Sequence, residues 1–138
     1  MDANVLVHAV NQRSPEHAVA RDWLYEALGG HEAVAFAWTV VLGFLRLTTH
    51  PAVFVRPLPV AQAADAVEGW LSAPPAVMVE PTRQHLPLLR GLLERAGTAG
   101  NLVGDAHLAA LALELGATVV SFDRDFARFE GLAARRPG

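Results

Sequence analysis

Residues 101–129 read NLVGDAHLAALALELGATVVSFDRDFARF, and this stretch indicates the class of fold more clearly than any other part of the chain. Its alanine- and leucine-rich first half predicts a helix from about Leu102 to Leu115, which Gly116 should end. A short β-branched strand, from Thr118 to Ser121, follows the glycine. A helix that leads directly into a strand is typical of proteins whose helices connect the parallel strands of a sheet.

Two aspartates occupy special positions in this stretch. Asp105 lies in the first turn of the predicted helix, and the residues three, four and seven positions after it are apolar and share its face. Asp123 lies just past the strand, at the end of a sheet where ligands of α/β proteins bind. A carboxylate on a buried face is costly unless it is paired or binds a metal. We therefore expect the two carboxylates to converge on a metal site.

For each aspartate taken alone, a local structural role is the alternative. Asp105 could stabilise the positive end of the helix dipole, and Asp123 could begin a turn. A third aspartate at a suitable place in the sequence, Asp2, favours the shared site.

Three motifs occur in a characteristic order. Asp2, Asn4 and Leu6 form Asp-x-Asn-x-Leu, Asp105–Ala112 reads Asp-Ala-x-Leu-Ala-Ala-x-Ala, and Asp123–Phe126 reads Asp-x-Asp-Phe. In this order the chain resembles the PIN-domain family, and within it the VapC-like ribonuclease toxins of toxin–antitoxin pairs. The resemblance implies a PIN-like three-layer α/β/α fold with a central, mainly parallel sheet of four to five strands. It also implies one domain, residues 1–138.

The middle of the chain both extends the resemblance and departs from it. Gly43–Pro51, GFLRLTTHP, resembles the second conserved helix of one VapC branch. Most PIN domains have a glutamate in this helix, where the present chain has Gly43, and no other acid lies between Glu32 and Asp65. The remaining carboxylates suit one Mg²⁺, which usually takes one or two protein carboxylates and keeps several waters. Whether one or two ions bind stays open.

The resemblance also implies a chemistry, the metal-dependent hydrolysis of RNA phosphodiester bonds by an endoribonuclease. Mg²⁺ would be the cofactor, with Mn²⁺ able to substitute for it. Asp2, Asp105 and Asp123 would be the catalytic residues and the metal ligands. Asn4 would hold Asp2 or a metal-bound water, and Asp125 or Asp123 would orient the attacking water.

Arginines are the only basic residues apart from histidine, since all 11 lysine or arginine positions are arginine and the net charge is −3. Without an overall positive charge, contacts with RNA must come from a few local arginines and the metal. We expect Arg46 and Arg124 to contact substrate phosphates. The alternative is that their stems only cover apolar surface. The six histidines show no metal-binding spacing and are interpreted as structural or surface residues.

Composition supports a folded protein of one domain. Its 138 residues can bury a proper core, and 52% hydrophobic residues are too many for disorder. There is no apolar run of membrane-spanning length, no signal peptide and no cysteine. These features predict a cytoplasmic protein. The resemblance adds three expected partners, namely RNA, a small cognate antitoxin and a second copy of the chain. Apolar helices around Trp23, Trp38 and Phe44 could supply the protein-binding surfaces.

The rest of the chain alternates between predicted helices and strands. The predicted elements are a helix from Ser14 to Gly29, a strand at Ala33–Ala37, helices at Trp38–Thr48 and Pro59–Ser72, a strand at Val77–Glu80 and a helix at Arg83–Arg95. The tail after Phe129 should be either a frayed end or a short edge strand.

Two features leave a second function open. Only Met1 precedes Asp2, although the family's first strand precedes this motif, so Asp2 would have a mobile support. We hypothesise that the native product starts upstream, which the intact mass of the native protein would reveal. Together with Gly43, this feature supports the alternative of a catalytically impaired PIN-like module that binds antitoxin or RNA without cleavage.

Overall fold

A computed structural model describes every residue from Met1 to Gly138. Helices and short strands alternate along the chain, as the sequence predicts. The elements are α1 (Ala3–Val10), α2 (His17–Leu28), β1 (Val34–Ala37), α3 (Trp38–Thr49), α4 (Val60–Leu71), β2 (Ala76–Val79), α5 (His85–Ala96), α6 (Val103–Leu115), β3 (Val119–Val120) and β4 (Ala134–Arg135). Two 3-10 turns, Gly100–Leu102 and Arg124–Arg128, complete the secondary structure. None of the helices combines the length and the apolar character needed to cross a membrane.

The start of α2 differs from the prediction. The helix begins at His17 instead of next to Ser14. Ser14 Oγ accepts a hydrogen bond from the backbone N–H of Glu16 at 3.1 Å and forms another with His8 Nδ1 at 2.7 Å. The serine therefore stabilises a turn before the helix and does not cap the helix itself.

The chain divides into two compact units, so the prediction of a single domain over residues 1–138 stays a prediction. The first unit contains residues 1, 3–79 and 137–138. In it, β1 and β2 pair in parallel, from Val34 opposite Ala76 to Ala37 opposite Val79. Helices α1 and α2 pack together, and α3 contacts both α1 and α4. The core consists of apolar side chains with almost no exposure, among them Val5, Leu6, Leu24, Phe36 and Phe44.

The second unit contains Asp2 and residues 80–136. Helix α5 packs against α6, and β3 pairs in parallel with β4. The tail after Phe129 therefore forms a short edge strand, which was one of the two predictions for it. Gly116 ends α6 in a left-handed conformation with φ of 61°, which glycine adopts without strain. Alanines and leucines form the buried part of α6, namely Ala106, Leu108, Ala109, Ala110, Leu111 and Ala112. Both strand pairs are parallel, as predicted, but they form two sheets of two strands each, where a single central sheet of four to five strands was expected.

A hydrogen-bonded network joins the start of α5 to the second turn and the last turn of α6. Glu114 accepts hydrogen bonds from the backbone N–H of Thr82 at 3.1 Å and from the Thr82 hydroxyl. Its other oxygen lies 2.9 Å from His85 Nδ1, and His85 Nε2 lies 2.7 Å from His107 Nδ1. Because a carboxylate only accepts, His85 Nδ1 must carry a proton. The prediction that the histidines are structural agrees with this arrangement of His85 and His107.

The network should make Glu114 important for stability. Its side chain is only 5% exposed. The hydrogen bonds that Thr82 donates lower the pKa of Glu114 below its usual value of 4.5, and the hydrogen bond and charge of His85 lower it further. A lowered pKa in the folded state adds stability above the usual pKa, and this stability is lost as the pH falls through the folded-state value.

We predict that Glu114→Gln lowers the free energy of unfolding at pH 7 by on the order of 1–2 kcal/mol, because the charged acceptor is lost. The difference from the parent should shrink below pH 4.5, because the unfolded parent chain binds a proton there and the folded carboxylate follows only as the pH falls through its lowered pKa. Urea unfolding at pH 7 and pH 4 measures both effects. Glu94→Gln is the control, since Glu94 is 62% exposed and pairs only with exposed Arg90. Equal losses in the two variants would contradict the role of the network.

A second prediction concerns Gly43 in α3. A Cβ built at this position would lie 3.4 Å from the Cβ of Ala3, whereas one at Gly69 in α4 would meet nothing within 4 Å. Replacing a helical glycine by alanine stabilises by about 1 kcal/mol where there is room. Gly69→Ala should therefore raise the stability by this full amount, measured by thermal unfolding. Gly43→Ala should raise it by the same amount or less. A net loss for Gly43→Ala alone would mean that glycine is required for the approach of α1 to α3.

Candidate metal centre

Three carboxylates converge where β3 ends and α6 begins. Asp105 lies in the first turn of α6, while Asp123 and Asp125 follow β3. One carboxylate oxygen from each of these residues lies within 4.8 Å of the others. Asp105 is half-buried, and the other two are exposed. The structure thus brings together Asp105 and Asp123, which were expected to converge, and Asp125, which was expected to orient water; Asp2, the third expected ligand, is not part of this group.

Asp2 is fixed to the same end of β3 by two hydrogen bonds. Its backbone N–H donates to the Val120 carbonyl at 2.9 Å, and its Oδ2 accepts from the Ser121 hydroxyl at 2.7 Å. The structure therefore gives Asp2 a hydrogen-bonded attachment to β3 in place of the mobile support that was expected, and the upstream start stays a hypothesis.

Ser121 connects Asp2 with the loop that carries the other two aspartates. Its side chain is buried, with 3% of the residue exposed. The hydroxyl donates to Asp2 and accepts from the backbone N–H of Asp123 at 3.0 Å. Asp123 Oδ1 in turn accepts from the backbone N–H of Asp125 at 2.8 Å. These bonds fix the positions of both the first aspartate and the loop.

Sequence reasoning did not single out Ser121. Its signal in the sequence is weak, because a serine two residues before an aspartate at the end of a strand is an ordinary turn residue. Only the partner on its other side, Asp2, distinguishes it, and that partner lies 119 positions away.

The electrostatics of the site reflect crowded negative charge. Burial, followed by the charges of Asp2, Asp123 and Asp125, raises the pKa of Asp105 from 3.8 to about 6. The salt bridges of the structure are Arg21–Asp22, His85–Glu114 and Arg90–Glu94, and none of them reaches these four aspartates. The cluster therefore has excess negative charge that a bound cation would neutralise.

The donors in the cluster suit a hard divalent cation. All of them are oxygens, whereas zinc sites are usually built from cysteine and histidine, and the chain contains no cysteine. Mg²⁺ and Mn²⁺ prefer carboxylate oxygens and water. The residues present therefore fit the type of ion that the sequence predicts.

The other predicted site residues have less defined surroundings. Arg124 is exposed and lies between Asp123 and Asp125 in the chain, at the start of the 3-10 turn. Asn4 lies in α1, and Arg46 is an exposed residue in the last turn of α3, both in the first unit. Their roles toward metal and RNA stay predictions.

Comparisons with known proteins agree with the motifs. The family model described as "PIN domain" matches residues 1–132. Ribonuclease VapC37 of Mycobacterium tuberculosis is 50% identical over 137 residues, which are 99% of this chain and 95% of the relative. Ribonuclease VapC33 of the same species is 38% identical over 131 residues, which are 95% of this chain and 92% of that protein.

Two solved structures are similar in fold. One is VapBC2 from Rickettsia felis bound to a DNA fragment from its promoter, with a TM-score of 0.69 and 18% identity, covering 99% of this chain and 96% of that chain. The other is VapBC-1 from nontypeable Haemophilus influenzae, with a TM-score of 0.66 and 16% identity. The match covers 98% of this chain and 94% of that chain. The predicted PIN-like α/β/α fold class is thereby confirmed. Family model, relatives and fold agree, and the chain belongs to the PIN-domain family, in its VapC-like branch.

Proposed function

We propose that this protein is a metal-dependent endoribonuclease, which hydrolyses RNA phosphodiester bonds as the toxin of a toxin–antitoxin pair. The observation that carries the proposal is the convergence of Asp105, Asp123 and Asp125, with Asp2 attached to the same end of β3. The similarity of nearly the whole chain to proteins named as VapC ribonucleases supports RNA as the substrate.

Asp2, Asp105 and Asp123 are the residues that would hold Mg²⁺, or Mn²⁺ in its place. Such an ion supplies Lewis-acid polarisation of a phosphoryl oxygen and lowers the pKa of water. The protein contributes the positions of the oxygens. Ser121 holds Asp2 and the Asp123 loop together, so that the carboxylates stay close despite their repulsion. This preorganisation is what a reactive phosphate needs.

Asp125 is the residue that we assign to orient the attacking water. Its carboxylate is exposed, while its backbone N–H is bonded to Asp123 Oδ1 at 2.8 Å. Solvent therefore reaches the carboxylate of Asp125, which could accept a proton from a water molecule. Asn4 remains a proposed support for Asp2 or for a water.

The competing proposal is a PIN-like module that binds without cleaving. Its support is Gly43, where most of the family has a glutamate. The attachment of Asp2 to β3 favours the enzyme, because the loss of a rigid first aspartate was the other argument for inactivity. The two proposals differ in one assay. RNA cleavage that EDTA abolishes and Mg²⁺ or Mn²⁺ restores would identify the enzyme, and binding without cleavage would identify the module.

A small antitoxin and a second copy of the chain are the proposed protein partners, in the cytoplasm. The two structural neighbours are named VapBC, which supports an antitoxin. Trp38 and Leu42, one turn apart on α3, are 52% and 58% exposed and offer an apolar surface. Phe44, which we expected near such a surface, is instead fully buried and packs edge-on against Trp70 at 5.1 Å.

We predict that Asp105→Asn abolishes Mn²⁺ binding and RNA cleavage while the fold is retained. The metal-free variant should be at least as stable as the parent at pH 7, because the substitution removes one of several repelling charges. Calorimetric titration of Mn²⁺ and thermal unfolding measure the two effects. Asp65→Asn, at an exposed position in α4, is the matched control and should change neither. Unfolding of Asp105→Asn would mean that the carboxylate has a structural role.

The raised pKa of Asp105 predicts the pH dependence of metal binding. Since this pKa is about 6, Mn²⁺ must displace a proton from Asp105 at lower pH, and the affinity should fall by up to about tenfold per pH unit below it. The metal-free protein should show the opposite trend in stability. A raised acid pKa favours the folded state at low pH, and this contribution is lost as the pH rises through about 6.

Mn²⁺ titrations at pH 5, 6 and 7 in two buffers of different ionisation enthalpy measure the affinity and the protons released. Proton release should be near one at pH 5 and approach zero at pH 7. An affinity that does not change between pH 5 and pH 7 would contradict the raised pKa of Asp105.

A further inference from the structure

The edge strand β4 lies beside β3, the strand that Asp123 and Asp125 follow. Its pairing with β3 includes bonds from the backbone N–H of Val119 to the Ala133 carbonyl at 2.9 Å and from that of Ser121 to the Arg135 carbonyl at 3.0 Å. The strands are parallel, so both finish at the same edge. The residue after β4, Arg136, is therefore directed to the edge from which Asp123 follows β3.

Two contacts fix the guanidinium of Arg136 at this edge. Nη1 donates to the Phe122 carbonyl at 3.3 Å, and Cζ lies 5.1 Å from the centre of the Phe122 ring. The distance is within the range of a cation–π contact. Phe122 is half-buried and stands between Ser121 and Asp123, which take part in the hydrogen bonds of the cluster. The position of Arg136 is therefore coupled to the same loop as the carboxylates.

A positively charged side chain at this edge would reduce the repulsion between the aspartates and a negatively charged substrate. RNA carries a negative charge at each phosphate, while four aspartates lie at the site and the whole chain has a net charge of −3. One cation does not offset the repulsion of the phosphates on both sides of the reacting one. An arginine that is exposed to solvent but held in position can bind such a phosphate through its planar group.

We propose that Arg136, oriented by Phe122, is a substrate-positioning residue that binds an RNA phosphate next to the one at the acidic cluster. The inference rests on the proposed function for the identity of the substrate. It adds a residue beyond Arg46 and Arg124, and it assigns Phe122 the role of holding the guanidinium in a fixed plane. Because the contact acts on a phosphate that does not react, it should affect binding more than the rate of the chemical step.

The test combines RNA binding with steady-state cleavage in the full-length protein. Binding of a fluorescein-labelled single-stranded RNA is measured in the Asp105→Asn background over a range of salt concentrations. Cleavage is measured with Mn²⁺ in the parent background. We expect Arg136→Ala to raise Kd and KM about tenfold with little change in kcat, and to lower the salt slope of binding by about 0.7, the value for one contact with a single strand.

Two further variants separate charge from geometry. Arg136→Lys keeps the charge and should keep the salt slope, but should still weaken binding about threefold because the planar group is lost. Phe122→Leu should likewise keep the salt slope and weaken RNA binding about threefold, because the guanidinium is no longer held in a fixed plane. The control is Arg90→Ala, which removes the same charge from an exposed pair on α5 and should leave Kd and KM unchanged. Thermal unfolding and Mn²⁺ affinity should match the parent in every variant.

The possible failures are distinct. If Arg136→Ala and Arg90→Ala bind RNA equally, or if Arg136→Ala lowers kcat and Mn²⁺ affinity instead of binding, the inference is overturned while the nuclease stands. If the parent binds RNA through Arg136 but does not cleave it with any metal, the proposed nuclease fails and only the binding of an RNA phosphate by Arg136 holds. If the protein does not bind RNA at all, both are overturned.

Discussion

Repulsion among the aspartates at the end of β3 is the constraint that the second unit must satisfy. Burial first, and then the charges of the other three aspartates, raise the pKa of Asp105, and two hydrogen bonds of Ser121 act against the repulsion by fixing Asp2 and the Asp123 loop. Helix α6, whose buried residues are alanines and leucines, carries the half-buried Asp105 in its first turn. Such local conflict with the rules of stability is characteristic of functional sites, where a bound ligand relieves it. The proposed cation would be that ligand.

Stability must then come from elsewhere, and the network on α6 is one source. Glu114 and His107 lie seven residues apart and so share a face, which differs from that of Asp105. His85 bridges them from α5, with both ring nitrogens in hydrogen bonds. One helix thus combines two kinds of polar group. The carboxylate at its start is left without a positively charged partner, while the carboxylate at its end is satisfied by the protein.

The sequence predicted those features that depend on nearby residues. Periodicity and Gly116 predicted α6, and the position of Asp105 in its first turn followed from that. Features that depend on distant contacts could not be predicted. The support of Asp2 comes from Val120 and Ser121, and no local pattern around residue 2 indicates them. The network of His85 escaped prediction for the same reason, because its partners are 22 and 29 positions away and have no metal-like spacing. Motif order, in contrast, was sufficient to indicate the family.

The bond between Asp2 and Ser121 also sets an order of events during folding. It closes a loop of 119 positions, and contacts between residues so far apart in sequence form late, because the entropy of loop closure opposes them until other structure brings the ends together. A growing polypeptide that has not yet reached Ser121 contains Asp2 and Asp105 but has nothing to hold the first of them in place. For a protein proposed to cleave the RNA of the cell that makes it, the proposed metal site is thus completed only after Ser121 and the two aspartates that follow it have been synthesised.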